Sequence, residues 1–261
     1  MRADVLLTAL GYAESRNKAQ RLIEAGCVYY NGAPVKKSGA ELPDDAQLSI
    51  VSMGETFVSR GALKLLGALK DFGVDPTGLK CIDIGASTGG FTDCLLRKGA
   101  SCVTCVDCGR GQLAPSIALD PRVTSFEGCN ARYITPEDVG GEYDLCVMDV
   151  SFISQTYILP AIPPLLKEGG MVIALIKPQF ELDAKSVSKG VVKGLDKHLR
   201  ALYRIYDALE PCGLLPLNFT RSPIEGGDGN VEFFGLYVKA GGESKIYDKA
   251  GLRHLVYHDA R

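Results

Sequence analysis

The chain contains, at residues 81–91, the run Cys81-Ile82-Asp83-Ile84-Gly85-Ala86-Ser87-Thr88-Gly89-Gly90-Phe91. It begins as an apolar segment typical of a strand buried on both faces, and then breaks into a glycine-rich turn that opens a helix. Glycines let the backbone approach a ligand closely, and the helix N-terminus behind them favours a carboxylate or a phosphate. The order G-x-S-x-G-G differs from the G-x-G-x-x-G order of dinucleotide-binding turns. The run therefore predicts the ligand-binding first turn of a doubly wound α/β sheet.

Strand-like and helix-like segments alternate around this turn. Apolar runs predict strands at residues 81–84, 102–106, 123–126, 144–148, 171–176, 214–219 and 231–238. Helical spacing occurs near residues 90–98, 111–118, 154–166 and 197–210, and a further helix before the first strand ends at Gly73. The alternation predicts a parallel sheet covered by helices.

A smaller unit of different character precedes this region. Apolar spacing at residues 6–10 and 19–23 predicts two short helices, and strands are predicted at 27–30, before an Asn31-Gly32 turn, and at 48–51. Residues 1–37 carry a local charge of +3, because they include six basic and three acidic residues. We predict a small α+β domain over residues 1–51, a linker at 52–58, a second domain over 59–240 and a tail at 241–261 of unknown role.

The composition excludes several classes of protein. The 261 residues are 46% hydrophobic and 23% charged with a net charge of −2, which argues against a disordered or fibrous protein. The longest apolar run has six residues, against about 18 for a membrane helix, and the N-terminus lacks the features of a secretory signal. Nine cysteines, an odd number, favour a reducing compartment. We therefore predict a cytoplasmic protein without membrane contact.

Three aspartates lie at the ends of predicted strands. Asp83 lies two residues before the first glycine of the turn, Asp107 ends the second strand of the sheet, and Asp149 follows the fourth. Because the carboxyl ends of parallel strands meet at one rim, we expect all three to face the same crevice. Asp107 is suited to accept hydrogen bonds from ribose hydroxyls, and this pairing with the glycine turn favours S-adenosylmethionine over NAD.

Lys177 directly follows the apolar run 171–176 and precedes Pro178, which stops the strand from continuing. Partial desolvation at such a position favours the neutral amine, which can act as a general base. The alternative is a lysine that extends its amine into water from a strand end. Lys64, on the helix before the sheet, and Glu232, at the start of the last strand, mean little by themselves.

Five separated motifs together resemble one known family. They are Ser59-Arg60-Gly61-Ala62-Leu63-Lys64-Leu65, the turn from Asp83 to Thr92, Asp149-Val150-Ser151-Phe152-Ile153-Ser154, Ile176-Lys177-Pro178-Gln179-Phe180-Glu181 and Gly229-Asn230-Val231-Glu232-Phe233. This combination, over about residues 2–240, resembles the TlyA family of ribosomal RNA 2′-O-ribose methyltransferases, which have an FtsJ-like catalytic domain. The resemblance implies a Rossmann-like, S-adenosylmethionine-dependent methyltransferase fold with a seven-stranded, mostly parallel sheet.

The resemblance also implies substrates and site residues. The substrate would be cytidine in 16S or 23S ribosomal RNA within ribosomal subunits, and the family's catalytic set falls on Lys64, Asp149, Lys177 and Glu232. The cofactor S-adenosylmethionine would be held by Asp83, Gly85, Ser87, Gly89, Gly90, Asp107 and Asn130. Residues 15–32 resemble the RNA-binding domain first described in ribosomal protein S4, so RNA contacts are expected from Arg2, Arg16, Lys18, Arg21 and Lys36. No metal is expected, because the sulfonium itself supplies the electrophile.

Other interpretations stay open at this point. Cys102-x-x-Cys105-x-x-Cys108 has the spacing of a metal motif, but in a strand its first two cysteines would point to opposite faces. The segment after residue 148 also resembles an element of amino-methyltransferases that act on bases, although its two prolines are missing and Lys177 stays unexplained. A non-catalytic ribosome-assembly factor is a third alternative. Direct lytic activity, which the haemolysin names in the family suggest, is not expected from a sequence without a long apolar segment.

Overall fold

The computed structural model describes residues 1–24, 26–30, 33–46, 48–50, 57–226, 229–241 and 247–258. The chain divides into two units, Met1–Thr56 and Phe57–Arg261. The predicted Asn31-Gly32 turn and most of the predicted linker at residues 52–58 lie outside the described residues.

The first unit packs two helices against a small sheet. Its elements are α1 (Ala3–Ala9), α2 (Arg16–Glu24), β1 (Val28–Tyr30), β2 (Ala33–Pro34) and β3 (Leu48–Ile50). β1 pairs antiparallel with β2 on one side and β3 on the other. Leu6 and Leu7 of α1 and Ala19 and Ile23 of α2 are buried in its core, as their helical spacing predicts. Strand β2 was not predicted, because two residues are too few to show a periodicity.

Among the described residues of the second unit, seven strands form one sheet in the order β6-β5-β4-β7-β8-β10-β9. They are β4 (Lys80–Ile84), β5 (Cys102–Asp107), β6 (Val123–Glu127), β7 (Tyr143–Met148), β8 (Leu166–Ile176), β9 (Leu214–Arg221) and β10 (Phe233–Lys239). All seven predicted strands are confirmed; most bounds differ by one or two residues, whereas β8 begins five residues earlier than predicted. Only β10 runs antiparallel to its neighbours, β8 and β9. The described residues of the short connection from β9 to β10 contain no crossover helix, and strands joined by a short connection pair antiparallel.

Helices cover both faces of this sheet. They are α3 (Gly61–Phe72), α4 (Gly90–Arg97), α5 (Pro115–Ala118), α6 (Pro136–Val139), α7 (Pro178–Glu181), α8 (Leu195–Leu209) and α9 (Lys249–Tyr257). Strand β8 shows the two faces clearly, since Val172, Ala174 and Ile176 join the core under α8 and α9, whereas Ile173 and Leu175 join the core under α3 and α4. Helix α9 therefore makes part of the predicted tail a piece of the core. In the described part of the chain, no helix is long and apolar enough to cross a membrane.

Two helix predictions are wrong in part, and proline is the reason in both cases. The helix predicted at 111–118 begins only at Pro115, because the residue before a proline avoids the helical region, and Ala114 is extended there with ψ 139°. The helix predicted at 154–166 is replaced by three 3₁₀ turns, Gln155–Tyr157, Leu159–Ala161 and Pro163–Leu165. Prolines in this segment remove the backbone donors that a continuous α-helix needs.

Candidate active site

Four neighbouring strand ends form one rim of the sheet. The glycine turn follows β4, Asp149 follows β7, Lys177 follows β8, and Glu232 immediately precedes β10. The antiparallel direction of β10 sets its first residue, Phe233, opposite Ile176, the last residue of β8. Adjacent strands lie about 4.8 Å apart, so the rim brings these four segments within a few strand spacings of one another.

Lys177 and Asp149 form an ion pair at this rim. Nζ of Lys177 lies 2.6 Å from Oδ1 of Asp149 and donates a hydrogen bond to Oγ of Ser151 at 2.8 Å. The side chain of Lys177 is 11% exposed and that of Asp149 is 24% exposed. The side chain of Lys177 is therefore largely covered, as its place after an apolar strand predicts, while that of Asp149 is partly exposed.

Lys64 and Glu232 form a second, more deeply buried ion pair. Nζ of Lys64 donates to Oε2 of Glu232 at 2.6 Å, and the two residues are 8% and 3% exposed. A Cβ atom on Gly226 would lie 2.5 Å from Oε1 of Glu232, so the glycine leaves room for the carboxylate. The helical pattern alone would place Lys64 on the surface, and only the family resemblance indicates this pair.

The glycine turn after β4 contains three residues with a left-handed backbone conformation, and it lies in close contact with Asp149. Gly85 has φ +83°, Ser87 +47° and Gly89 +88°. A Cβ atom on Gly85 would lie 2.5 Å from the backbone oxygen of Asp149, and one on Gly90 would lie 2.0 Å from Oγ of Ser59. These glycines are therefore needed for the turn to pack against its neighbours, apart from any ligand.

Asp83 does not face the crevice, which corrects the expectation that all three aspartates do. Its side chain is 0% exposed, and Oδ2 accepts hydrogen bonds from N and Oγ1 of Thr92, at 3.0 and 2.7 Å. Asp83 lies inside a strand whose side chains alternate between two covered faces, so its carboxylate points to the first turn of α4. Burial is the main cause that raises the pKa of Asp83 to about 7, and the charge of Asp149 raises it further. The hydrogen bonds from Thr92 act in the opposite direction and lower this pKa.

The carboxylate of Asp107 lies at the end of β5, half-buried, and holds two backbone amides. Oδ2 accepts from N of Ser87 at 2.8 Å, and Oδ1 accepts from N of Gly109 at 2.7 Å. Each oxygen keeps a second lone pair for a further donor. Asp107 therefore joins the glycine turn to the loop after β5 and retains the capacity to bind hydroxyl groups.

Asn130 lies in the loop that follows β6, beside the end of β5. The backbone N of Cys129 donates to the carbonyl oxygen of Asp107 at 2.9 Å, which fixes this loop next to the turn. Oδ1 of Asn130 accepts from N and Nε of Arg132, both at 3.2 Å, and the residue is exposed. Its predicted contact with an adenine stays a prediction.

The five basic residues predicted to contact RNA are all exposed in the first unit. Two of them also hold a buried carboxylate: Asp4, which is 0% exposed, accepts from Nε and Nη2 of Arg2 at 3.0 and 2.9 Å and from Nη2 of Arg16 at 3.3 Å. Lys18 pairs at 2.5 Å with Glu14, which lies four residues earlier in the sequence. Arg2 and Arg16 therefore have a structural role that the sequence did not reveal, and their RNA contacts stay a prediction.

The cysteine spacing near residue 105 does not form a ligand cluster. Cys102, Cys105 and Cys108 are free thiols, of which Cys105 is buried and Cys108 exposed. Burial raises the pKa of Cys105 to about 12, so the thiol stays protonated. Among the described residues, no group of three or more histidine, cysteine, aspartate or glutamate side chains is arranged to hold a metal.

The doubly wound sheet, the glycine turn and the paired lysines and acids at the rim define a Rossmann-like methyltransferase domain. Comparison with known families agrees with this. The FtsJ-like methyltransferase family matches residues 57–237, and the S4 domain matches residues 1–48.

Individual relatives cover nearly the whole chain. The 16S/23S rRNA (cytidine-2′-O)-methyltransferase TlyA of Mycobacterium tuberculosis is 42% identical over 235 residues, 89% of this chain and 88% of that protein. Hemolysin A of Brachyspira hyodysenteriae is 40% identical over 91% of this chain and 100% of that protein. A solved structure from Streptococcus thermophilus that carries a hemolysin name is 38% identical, with a TM-score of 0.75, and covers 98% of this chain and 94% of its own. The chain belongs to the TlyA family of FtsJ-like methyltransferases.

Proposed function

We propose that this chain transfers a methyl group from S-adenosylmethionine to the 2′-hydroxyl of a cytidine in ribosomal RNA, in the context of a ribosomal subunit. The observation that carries the proposal is the covered Lys177–Asp149 pair beside the glycine turn, together with the buried pair of Lys64, on α3, and Glu232, next to the neighbouring strand β10. The name of the Mycobacterium tuberculosis relative supports the same reaction. A cytoplasmic location follows from the substrate.

The rim suits a cofactor with a ribose and a cationic centre. Asp107 retains acceptor capacity for ribose hydroxyls, and the glycine turn from Gly85 to Gly89 keeps side chains out of the path of a ligand. Oδ1 of Asp83, in the strand that leads into the turn, is buried without a hydrogen-bond partner among the described residues. When bound, S-adenosylmethionine supplies a methyl group on a positively charged sulfur, so the protein needs no further electrophile.

Lys177 is the proposed general base for the ribose hydroxyl. A neutral amine has two N–H groups and one lone pair; Nζ of Lys177 donates one N–H to Oγ of Ser151 and lies 2.6 Å from Oδ1 of Asp149. The lone pair is then left to accept the hydroxyl proton as the oxygen attacks the methyl group. Asp149 sets the direction of the amine and stabilises the ammonium that results.

Lys64 and Glu232 are proposed to orient the ribose. Their pair is buried and hydrogen-bonded, so its atoms have few alternative positions. Holding hydroxyl, methyl and sulfur in line can lower the activation free energy by about 7–11 kcal/mol at best. A positioned proton transfer raises the rate by about 10²–10⁴-fold, which corresponds to a smaller free energy. Orientation is therefore the larger expected contribution.

Gly85→Ala should weaken S-adenosylmethionine binding about ten-fold or more, because the new methyl group must displace the backbone of Asp149 or of the turn itself. Isothermal titration calorimetry with the cofactor measures the change. Gly78→Ala is the matched control, since Gly78 has φ +75° but no atom within 4 Å of an added Cβ. Equal cofactor affinity in both variants would argue against a cofactor role for the turn.

The first unit is proposed to bind RNA through phosphate contacts that fix its register. Lys18→Gln combined with Arg21→Gln should lower RNA affinity and reduce the slope of log K against log salt by about 0.7–0.9 for each phosphate interaction that is removed. Filter binding to ribosomal RNA fragments over a salt series measures both quantities. Glu14→Gln is the control, because it removes the ion-pair partner of Lys18 while adding net positive charge. Unchanged affinity and slope in the double variant would remove these residues from the RNA interface.

Nucleoside mass spectrometry tests the reaction itself. Purified small and large ribosomal subunits are incubated with labelled cofactor, and the RNA is digested to nucleosides. A methyl group on the ribose of cytidine is the expected result. A methyl group on a base would favour the amino-methyltransferase alternative, and no transfer to either subunit would favour an assembly factor.

A further inference from the structure

The Lys177–Asp149 pair joins two loops that leave the sheet. The pairing of β7 with β8 ends at Met148 and Ala174, before either side chain of the pair. Beyond those residues β7 and β8 no longer pair with each other, although Ile176 still pairs with Phe233 of β10 and N of Asp149 donates to the carbonyl oxygen of Ile84 of β4. Contacts between the two loops add to these in setting the position of the pair. A positioned base tolerates little error, since a displacement of about 1 Å can cost about 10²-fold in rate.

A buried carboxylate links these two loops through hydrogen bonds. Glu181, at the end of α7, is 1% exposed and follows Lys177 by four residues. Its Oε2 accepts from Oγ of Ser154 at 2.5 Å, and its Oε1 accepts from the backbone N of Gln155 at 3.0 Å. Ser154 and Gln155 belong to the loop that carries Asp149. Burial raises the pKa of Glu181, whereas the hydrogen bonds from Ser154 and Gln155 favour the carboxylate and act to lower it.

A second contact runs from the same loop to β8. Nε2 of Gln155, a residue that is 1% exposed, donates to the carbonyl oxygen of Leu175 at 2.5 Å. Leu175 lies two residues before Lys177. The loop of Asp149 is therefore fastened both to the strand before Lys177 and to the helix after it.

We propose that Glu181 is a positioning residue, which holds the Asp149 loop against the Lys177 loop and so sets the geometry of the base. The inference rests on the proposed function. It accounts for the last residue of each motif, Ser154 in the Asp149 motif and Glu181 in the Lys177 motif, which the mechanism itself does not use. Ser151, which accepts from Nζ of Lys177, lies three residues before Ser154 in the same loop.

Glu181→Ala should lower kcat for methyl transfer about 10²-fold, with KM for RNA and the cofactor Kd changed by no more than about two-fold. Glu181→Gln should restore most of the wild-type kcat. An amide oxygen can still accept from N of Gln155, and the amide nitrogen can donate to Ser154. Single-turnover methylation of ribosomal subunits with labelled cofactor separates the chemical step from binding.

Tyr143→Phe is the matched structural control, because Tyr143 lies at the other end of β7 and its hydroxyl forms buried hydrogen bonds with Val139 and Thr104. It should melt at a lower temperature but keep the wild-type kcat. If Glu181→Ala does not fold, Ser154→Ala removes one of the two bonds and should lower kcat about ten-fold, a smaller displacement than loss of both bonds.

A wild-type kcat in folded Glu181→Ala, or in Ser154→Ala, would overturn the proposal. A rate in Glu181→Gln as low as in Glu181→Ala would also overturn it. Failure of the proposed function is distinguishable, because Lys177→Ala would then retain activity or the wild type would methylate no ribose.

Discussion

Replacing Lys177 by alanine should lower the rate of ribose methylation by about 10²–10⁴-fold, which is the usual contribution of a positioned proton acceptor. The reason lies in the geometry, because the side chain of Lys177 is 11% exposed and its amine contacts Asp149 and Ser151. Without it, the site loses the amine that is proposed to receive the proton of the 2′-hydroxyl. Cofactor affinity should stay near that of the wild type, since Lys177 is not among the residues expected to hold the cofactor. Single-turnover kinetics and cofactor titration measure the two quantities separately.

Lys177→Arg tells whether the lysine acts as a base or only as a positive charge. Arginine can still pair with Asp149, but it stays protonated in proteins and cannot take the hydroxyl proton. We therefore expect it to be nearly as inactive as Lys177→Ala. Lys167→Ala is the control on the same strand, because its exposed pair with Asp144 lies at the far end of β8. Near wild-type methylation by Lys177→Ala would exclude Lys177 as the base.

The parallel sheet could be predicted because its strands are buried on both faces. Such strands appear in the sequence as uninterrupted apolar runs, and the run before Lys177 is the clearest of them. Burial on both faces also makes the strand ends predictable, since the first polar residue after each run marks the rim. Asp149 and Lys177 follow in this way from the residues alone, without the family resemblance.

The parts that could not be predicted depend on contacts between distant segments. Lys64 lies 168 positions from Glu232, and nothing in the local helical pattern indicates that the lysine is covered. Asp83 was expected in the crevice because strand position predicts which end a residue occupies but not which neighbour its carboxylate meets. Glu181 and Ser154 appear in the sequence only as members of motifs, and their hydrogen bond shows in the folded chain alone.

Breaking the Lys64–Glu232 pair from one side should cost about 3–5 kcal/mol of the free energy of unfolding, because it leaves a buried charge without its partner. Lys64→Met and Glu232→Gln are suitable single variants, since both keep the approximate volume of the side chain. The double variant removes the charge of both residues, so it should be more stable than the sum of the single effects predicts. Urea unfolding of all four proteins measures the coupling between the two positions.

Among these single and double variants, methylation activity should not recover together with stability. This result would distinguish a role of the pair in the reaction from a purely structural role. If the pair only supports the fold, the double variant regains methylation together with stability. If Lys64 and Glu232 orient the ribose, as proposed, the double variant is folded and binds cofactor but remains inactive. The exposed Lys167–Asp144 pair serves as the reference, since the free energy of such a surface pair is about 0–1 kcal/mol. A folded double variant with wild-type kcat would show that the ribose is oriented by other groups.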